Sequence, residues 1–102
     1  MKEFHGEYKG EVLATVNSTN TAAAVGSGSL PVFATPMMLA LMEEATCEAA
    51  SAILDDGETT VGIKVEITHD KASAMGATVS ASAKLEAVDG RRLVFSVSAK
   101  DD

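Results

Sequence analysis

Thr35-Pro36-Met37-Met38-Leu39-Ala40-Leu41-Met42-Glu43-Glu44-Ala45-Thr46-Cys47-Glu48-Ala49-Ala50-Ser51-Ala52-Ile53-Leu54 is the stretch whose reading decides the fold. Thr35-Pro36 reads as a helix start: Thr is a favoured N-cap, and proline suits the first turn, where its missing N–H is not needed. Asp55-Asp56-Gly57 stops the pattern, which predicts a helix over residues 36–54. At about 100° per residue, Glu44, Glu48, Ser51 and Asp55 make one narrow polar stripe. Apart from Glu43 and Thr46, every other position is apolar. A helix with so wide an apolar surface has to be wrapped by something large, most simply a curved sheet.

The flanking sequence supplies strands for that sheet. Before the helix, Tyr8, Val12, Ala14 and Val16 fall on even positions of Glu7–Val16, a strand in which Gly10 reads as a weak spot or bulge. Asn17–Pro31 is rich in Ser, Thr, Ala and Gly and reads as a loop with short turns. After the helix, Val61, Ile63, Val65 and Ile67 alternate with Gly62, Lys64, Glu66 and Thr68. Ala77, Val79, Ala81, Ala83 and Leu85 form a second such set, and Leu93, Phe95, Val97 and Ala99 a third. Each set predicts an antiparallel strand with one buried face, and Asp89-Gly90 predicts a hairpin turn between the last two. The order strand, loop, helix, three strands is an α+β architecture in one domain. The Ala-rich inward faces leave room for a helix lying close to the sheet.

Composition narrows the function. The chain has 102 residues, enough for one small domain, and its 46% hydrophobic content is too high for a disordered chain. The longest apolar run, Pro36–Met42, is far short of the roughly 20 residues of a membrane span. A formal net charge of -7 argues against nucleic acid as a partner, since phosphate binding needs a basic footprint. The single cysteine, Cys47, allows no internal disulfide and reads as a small buried apolar residue. Met1–Glu7 has no apolar core of a signal peptide, which sets the expectation of a cytoplasmic protein and an idle Asn17-Ser18-Thr19 sequon. Gly26-Ser27-Gly28 is followed by no Gly-Lys-Ser/Thr, so it is not a P-loop. Neither zinc-ligand spacing nor Gly-x-Ser-x-Gly occurs, and no metal or cofactor is expected.

Two ionisable residues stand where the periodicity calls for apolar ones. Glu43 lies about 100° from Glu44, off the polar stripe, among Leu39, Ala40, Thr46 and Cys47. His69 shares the parity of Val61, Ile63, Val65 and Ile67, which turns it inward if the strand reaches it. Each has a plainer reading: Glu43 as part of a solvated helix edge, His69 as a solvated strand end. Thr35 likewise reads as a structural N-cap, and Met37, Met38 and Met42 as core.

At these residues the chain resembles the fluoroacetyl-CoA thioesterase group of the hotdog fold. The resemblance is carried by Leu30-Pro31-Val32-Phe33-Ala34-Thr35 followed by Leu41-Met42-Glu43, by Gly57-Glu58-Thr59-Thr60-Val61-Gly62 followed by Thr68-His69, and by Val88-Asp89-Gly90-Arg91-Arg92-Leu93. It covers nearly the whole chain. It implies a hotdog domain that pairs as a homodimer and hydrolyses a small acyl-CoA thioester. It implies a catalytic set of Thr35, Glu43 and His69, with Phe33 and Gly62 on the substrate side. The family carries paired phenylalanines before the Phe-Ala-Thr stretch; residues 24–30 here have no aromatic, so fluoroacetate selectivity does not carry over. The family also continues past the position of Asp102 with a final strand, so residues 1–102 are expected to form one hotdog domain lacking that strand. Two other functions fit the same fold: a non-catalytic acyl-CoA binding domain, and another hotdog enzyme such as a hydratase, whose Asp and His on the helix-side loop are not found here.

Overall fold

A computed structural model describes residues 1–102. Strand β1, Lys9–Thr15, leads through a short helix α1, Ala22–Val25, into the long helix α2, Thr35–Ala50; strands β2, Thr78–Asp89, and β3, Arg92–Asp101, follow. The three strands form one antiparallel sheet in the order β1-β2-β3. The register sets Val12 opposite Ala81 and Ala81 opposite Ala99. The hairpin predicted at Asp89-Gly90 is present, with Asp89 paired to Arg92 and Gly90 at φ 62°.

Helix α2 lies across the inner sheet face. Met38, Leu41, Met42, Ala45 and Ala49 pack with Val79, Ala81 and Ala83 of β2, Val16 and Phe33 in one core. The alternation read from β2 is realised: Val79, Ala81, Ala83 and Leu85 are buried while Ser80, Ser82 and Lys84 face outward. Burying each large side chain contributes about 1.5–3 kcal/mol, so Met38, Leu41 and Met42 are the main tie between helix and sheet. Small residues set the spacing. Gly10, read as a weak spot, is the point of closest approach: a Cβ built there overlaps the Ala45 carbonyl oxygen and comes 2.7 Å from Ala49 N.

Four expectations are corrected. The helix stops at Ala50, four residues short of Leu54, because Ile53 N bonds Ala50 O in a tighter turn that still buries Ile53. The N-cap position is Ala34, so Thr35 is not the cap. Cys47 is exposed, on the side of α2 turned away from the sheet, together with Ala40 and Glu43. The strand predicted over residues 61–69 has no partner: residues 59–72 make no main-chain hydrogen bond. Val61, Ile63 and Val65 are 82%, 75% and 46% exposed, and only Ile67 packs against the core. Their alternation is that of a half-buried strand, but no neighbouring strand or helix covers that face in one chain.

Candidate active site

The start of α2 is fastened from two sides. Asn20, a buried residue of the loop after β1, accepts from Ala34 N through its carbonyl at 3.0 Å. Its side chain accepts from Asn17 N and donates to Thr15 O, tying the loop to the end of β1. Phe33 N donates to Ser73 O, and the Ser73 hydroxyl donates to Asp101 at the end of β3 at 2.8 Å. The Ser73 hydrogen bond, with Lys71 at 3.5 Å, holds the Asp101 carboxyl below the usual carboxylate range. Pro36 in the first turn has no N–H to satisfy, and no acceptor takes the Thr35 N–H, which leaves a main-chain donor at the positive end of the helix.

That framework joins two of the three candidate residues. Thr35 Oγ1 lies 2.7 Å from His69 Nδ1, linking the first turn of α2 to the extended segment 34 residues later. The inward turn expected of His69 is present, and the Thr35 hydroxyl serves the imidazole rather than the helix end. His69 lines a cavity of about 660 Å³ between β3 and residues 66–71. Phe33, Met38 and Met42 provide its apolar lining, and Lys71 and Lys100 stand at it. Such a volume is in the range of small-ligand sites. Arg91 and Arg92, at the far end of the β2–β3 hairpin, are not among the lining residues, and Lys64 is paired with Glu66 at 3.2 Å.

Glu43 stands apart. Eight residues along α2 separate it from Thr35, about 12 Å of helix rise. Its carboxylate is exposed and hydrogen-bonds neither Thr35 nor His69. It lies instead against Gly62, where an added Cβ would come 2.9 Å from Oε2. One chain thus holds two half-sites, Thr35 with His69 and Glu43 with Gly62. Asn20, Ser73 and Asp101 position the first of them and were not singled out from sequence. Their residue types suit any polar loop, and only their partly buried hydrogen bonds distinguish them. No group of three or more His, Cys, Asp or Glu stands together as a metal site.

With this geometry in place, a sequence model described as "Fluoroacetyl-CoA-specific thioesterase" matches residues 16–102. The chain belongs to the fluoroacetyl-CoA-specific thioesterase family. Over 70 residues it is 44% identical to the fluoroacetyl-CoA thioesterase of Streptantibioticus cattleyicolor, a match covering 69% of this chain and 50% of that protein. The chain thus spans about half the length of this relative. A crystal structure of a mutant of the fluoroacetyl-CoA-specific thioesterase FlK, in complex with fluoroacetate and CoA, superposes with a TM-score of 0.86 at 32% identity, over 96% of this chain and 83% of that one. A Thermus thermophilus hypothetical protein, described as a thioesterase superfamily member, gives a TM-score of 0.88 at 27% identity, over 99% of this chain and 74% of that one. The family's fold is the hotdog fold that the resemblance implied, and the apolar helix on an antiparallel sheet agrees with it. No helix is long and apolar enough to cross a membrane.

Proposed function

We propose that this chain hydrolyses a small acyl-CoA thioester at the mouth of the cavity beside His69. The observation that carries the reading is the 2.7 Å contact between Thr35 Oγ1 and His69 Nδ1 at the start of α2. With the Thr35 hydroxyl donating to Nδ1, neutral His69 carries its proton on Nε2, suited to stabilising the leaving sulfur or protonating it. The free Thr35 N–H at the helix start polarises the thioester carbonyl. Glu43 acts as nucleophile or as general base toward water. Phe33 and the methionines receive the acyl group, and Gly62 lets the Glu43 carboxylate lie against the main chain. Lys71 and Lys100 offer charge to the CoA phosphates, although the acidic chain as a whole does not.

The acyl specificity is broader than fluoroacetyl, supported by the absence of any aromatic residue in 24–30. A cytoplasmic location and a homodimer go with this reading. So does a single hotdog domain over residues 1–102.

The test is CoA release from a panel of acetyl-, fluoroacetyl-, propionyl- and butyryl-CoA, with Glu43→Ala and His69→Ala alongside. Each substitution is expected to reduce kcat/KM at least about 100-fold, the scale of a lost acid–base group. Unchanged activity in both would overturn the site. CoA binding without turnover by the unaltered protein would identify the non-catalytic binding domain instead.

A further inference from the structure

We infer that Asp101 is a positioning residue for the reaction: its carboxylate anchors the chain just past His69 and thereby holds the imidazole against Thr35. The inference rests on the proposed thioester chemistry at Thr35 and His69, and adds to it a residue that hydrogen-bonds neither. His69 gains no rigidity from its own main chain, because residues 59–72 make no main-chain hydrogen bond. Upstream, Ile67 packs against the core. Downstream, the polar contacts converge on one carboxylate. Asp101 Oδ2 accepts from the Ser73 hydroxyl at 2.8 Å, and Oδ1 pairs with Lys71 at 3.5 Å. The two oxygens thus grip the chain on both sides of Ala72, within four residues of His69.

The base of this anchor is fixed to the sheet. Asp101 lies in β3 opposite buried Val79, and beside it Asp102 N donates to Thr78 O while Asp102 Oδ1 accepts from Thr78 N. The Asp101 side chain is 16% exposed and Ser73 7%, so water competes little for the bond between them. Lys71, whose side chain is 79% exposed, contributes less. The anchor also closes a circuit. Ser73 O accepts from Phe33 N, Thr35 follows two residues later, and Thr35 Oγ1 meets His69 Nδ1 at 2.7 Å. A shift of Ser73 therefore moves both ends of the Thr35–His69 pair, and reaction rates are sensitive to displacements on the ångström scale.

Ser73→Ala, Asp101→Ala and Asp101→Asn separate positioning from stability alone. Asparagine keeps an oxygen for the Ser73 hydroxyl, and alanine does not. Ser73→Ala and Asp101→Ala are expected to lower kcat about tenfold or more, the double variant no further, while Asp101→Asn recovers most of the loss. The ring nitrogens of His69 give a second readout that needs no substrate. They are observed by NMR in alkaline buffer, where imidazole is neutral, and told from those of His5 by His5→Gln. Wild type should show one tautomer, protonated on Nε2, and both alanine variants a mixture. Circular dichroism restricts the comparison to folded protein, and Ser73→Ala, the smaller deletion, carries the test where Asp101→Ala does not fold. An unchanged kcat or an unchanged His69 tautomer in Ser73→Ala overturns the inference, as does an Asp101→Asn as impaired as Asp101→Ala. A wild-type protein without turnover overturns the thioesterase reading instead, and the NMR comparison then decides the anchor by itself.

Discussion

Replacing Gly10 by alanine sets two effects of opposite sign against each other. Gly10 sits in β1 without a positive φ, so backbone propensity alone favours the substitution by roughly 0.5–1 kcal/mol. Packing opposes it. The new Cβ overlaps the Ala45 carbonyl oxygen and lies 2.7 Å from Ala49 N and 2.9 Å from Glu48 Cβ. Two of these are main-chain atoms of α2, so no side-chain rotation relieves the clash, and the helix has to move away from the sheet. That motion opens the contacts of Ala45 and Ala49, which are 0% and 1% exposed. Overpacking of this kind costs typically 1–3 kcal/mol, and a main-chain overlap belongs at the upper end. After the propensity gain, a net loss of about 2 kcal/mol remains, which lowers Tm by roughly 8–16 °C in a domain of this size. Thermal unfolding followed by circular dichroism measures it, with Gly28→Ala as control because its added Cβ meets only the Ala22 Cβ, at 3.3 Å. A Gly10→Ala protein as stable as wild type would refute the close approach of α2 to β1.

Two further outcomes follow from the site. Gly62→Ala forces the end of a flexible side chain rather than main chain, displacing Glu43 Oε2 from a 2.9 Å contact. It should leave Tm unchanged but reduce kcat about tenfold or more, given the sensitivity of catalysis to sub-ångström placement; equal kcat would separate Gly62 from the chemistry. Asp101 is held below the ordinary carboxylate range, first by Ser73, so the folded state binds its proton less readily than the unfolded one. Its contribution is present above the unfolded value, near pH 4, and is lost as pH falls through the lower folded value. Urea midpoints measured downward from neutral pH should therefore fall less steeply in Asp101→Asn than in wild type, and identical slopes would remove Asp101 from the acid response.

Much of the fold was legible because periodicity reports which face of an element is buried. The wide apolar surface over 36–54 called for a sheet, and the alternation in 77–85 identified the residues of β2 that meet it. The same device isolated Glu43 and His69 as polar residues on apolar positions. It failed where burial depends on a partner. Val61, Ile63 and Val65 alternate like Val79, Ala81 and Ala83, yet nothing within one chain covers them. Cys47, which reads by residue type as a small buried apolar side chain, is exposed as well.

Residue types and their spacing, which are local properties, thus determined most of the elements and singled out Glu43 and His69, while the resemblance supplied the family and added Thr35. Tertiary structure decided the distances among them. It took Thr35 from capping the helix to bonding His69, made Gly10 the contact point between helix and sheet, and set Glu43 two turns away from the pair it was expected to join. Each of these depends on where a second element lies in space, and a pattern read along one element does not contain that position.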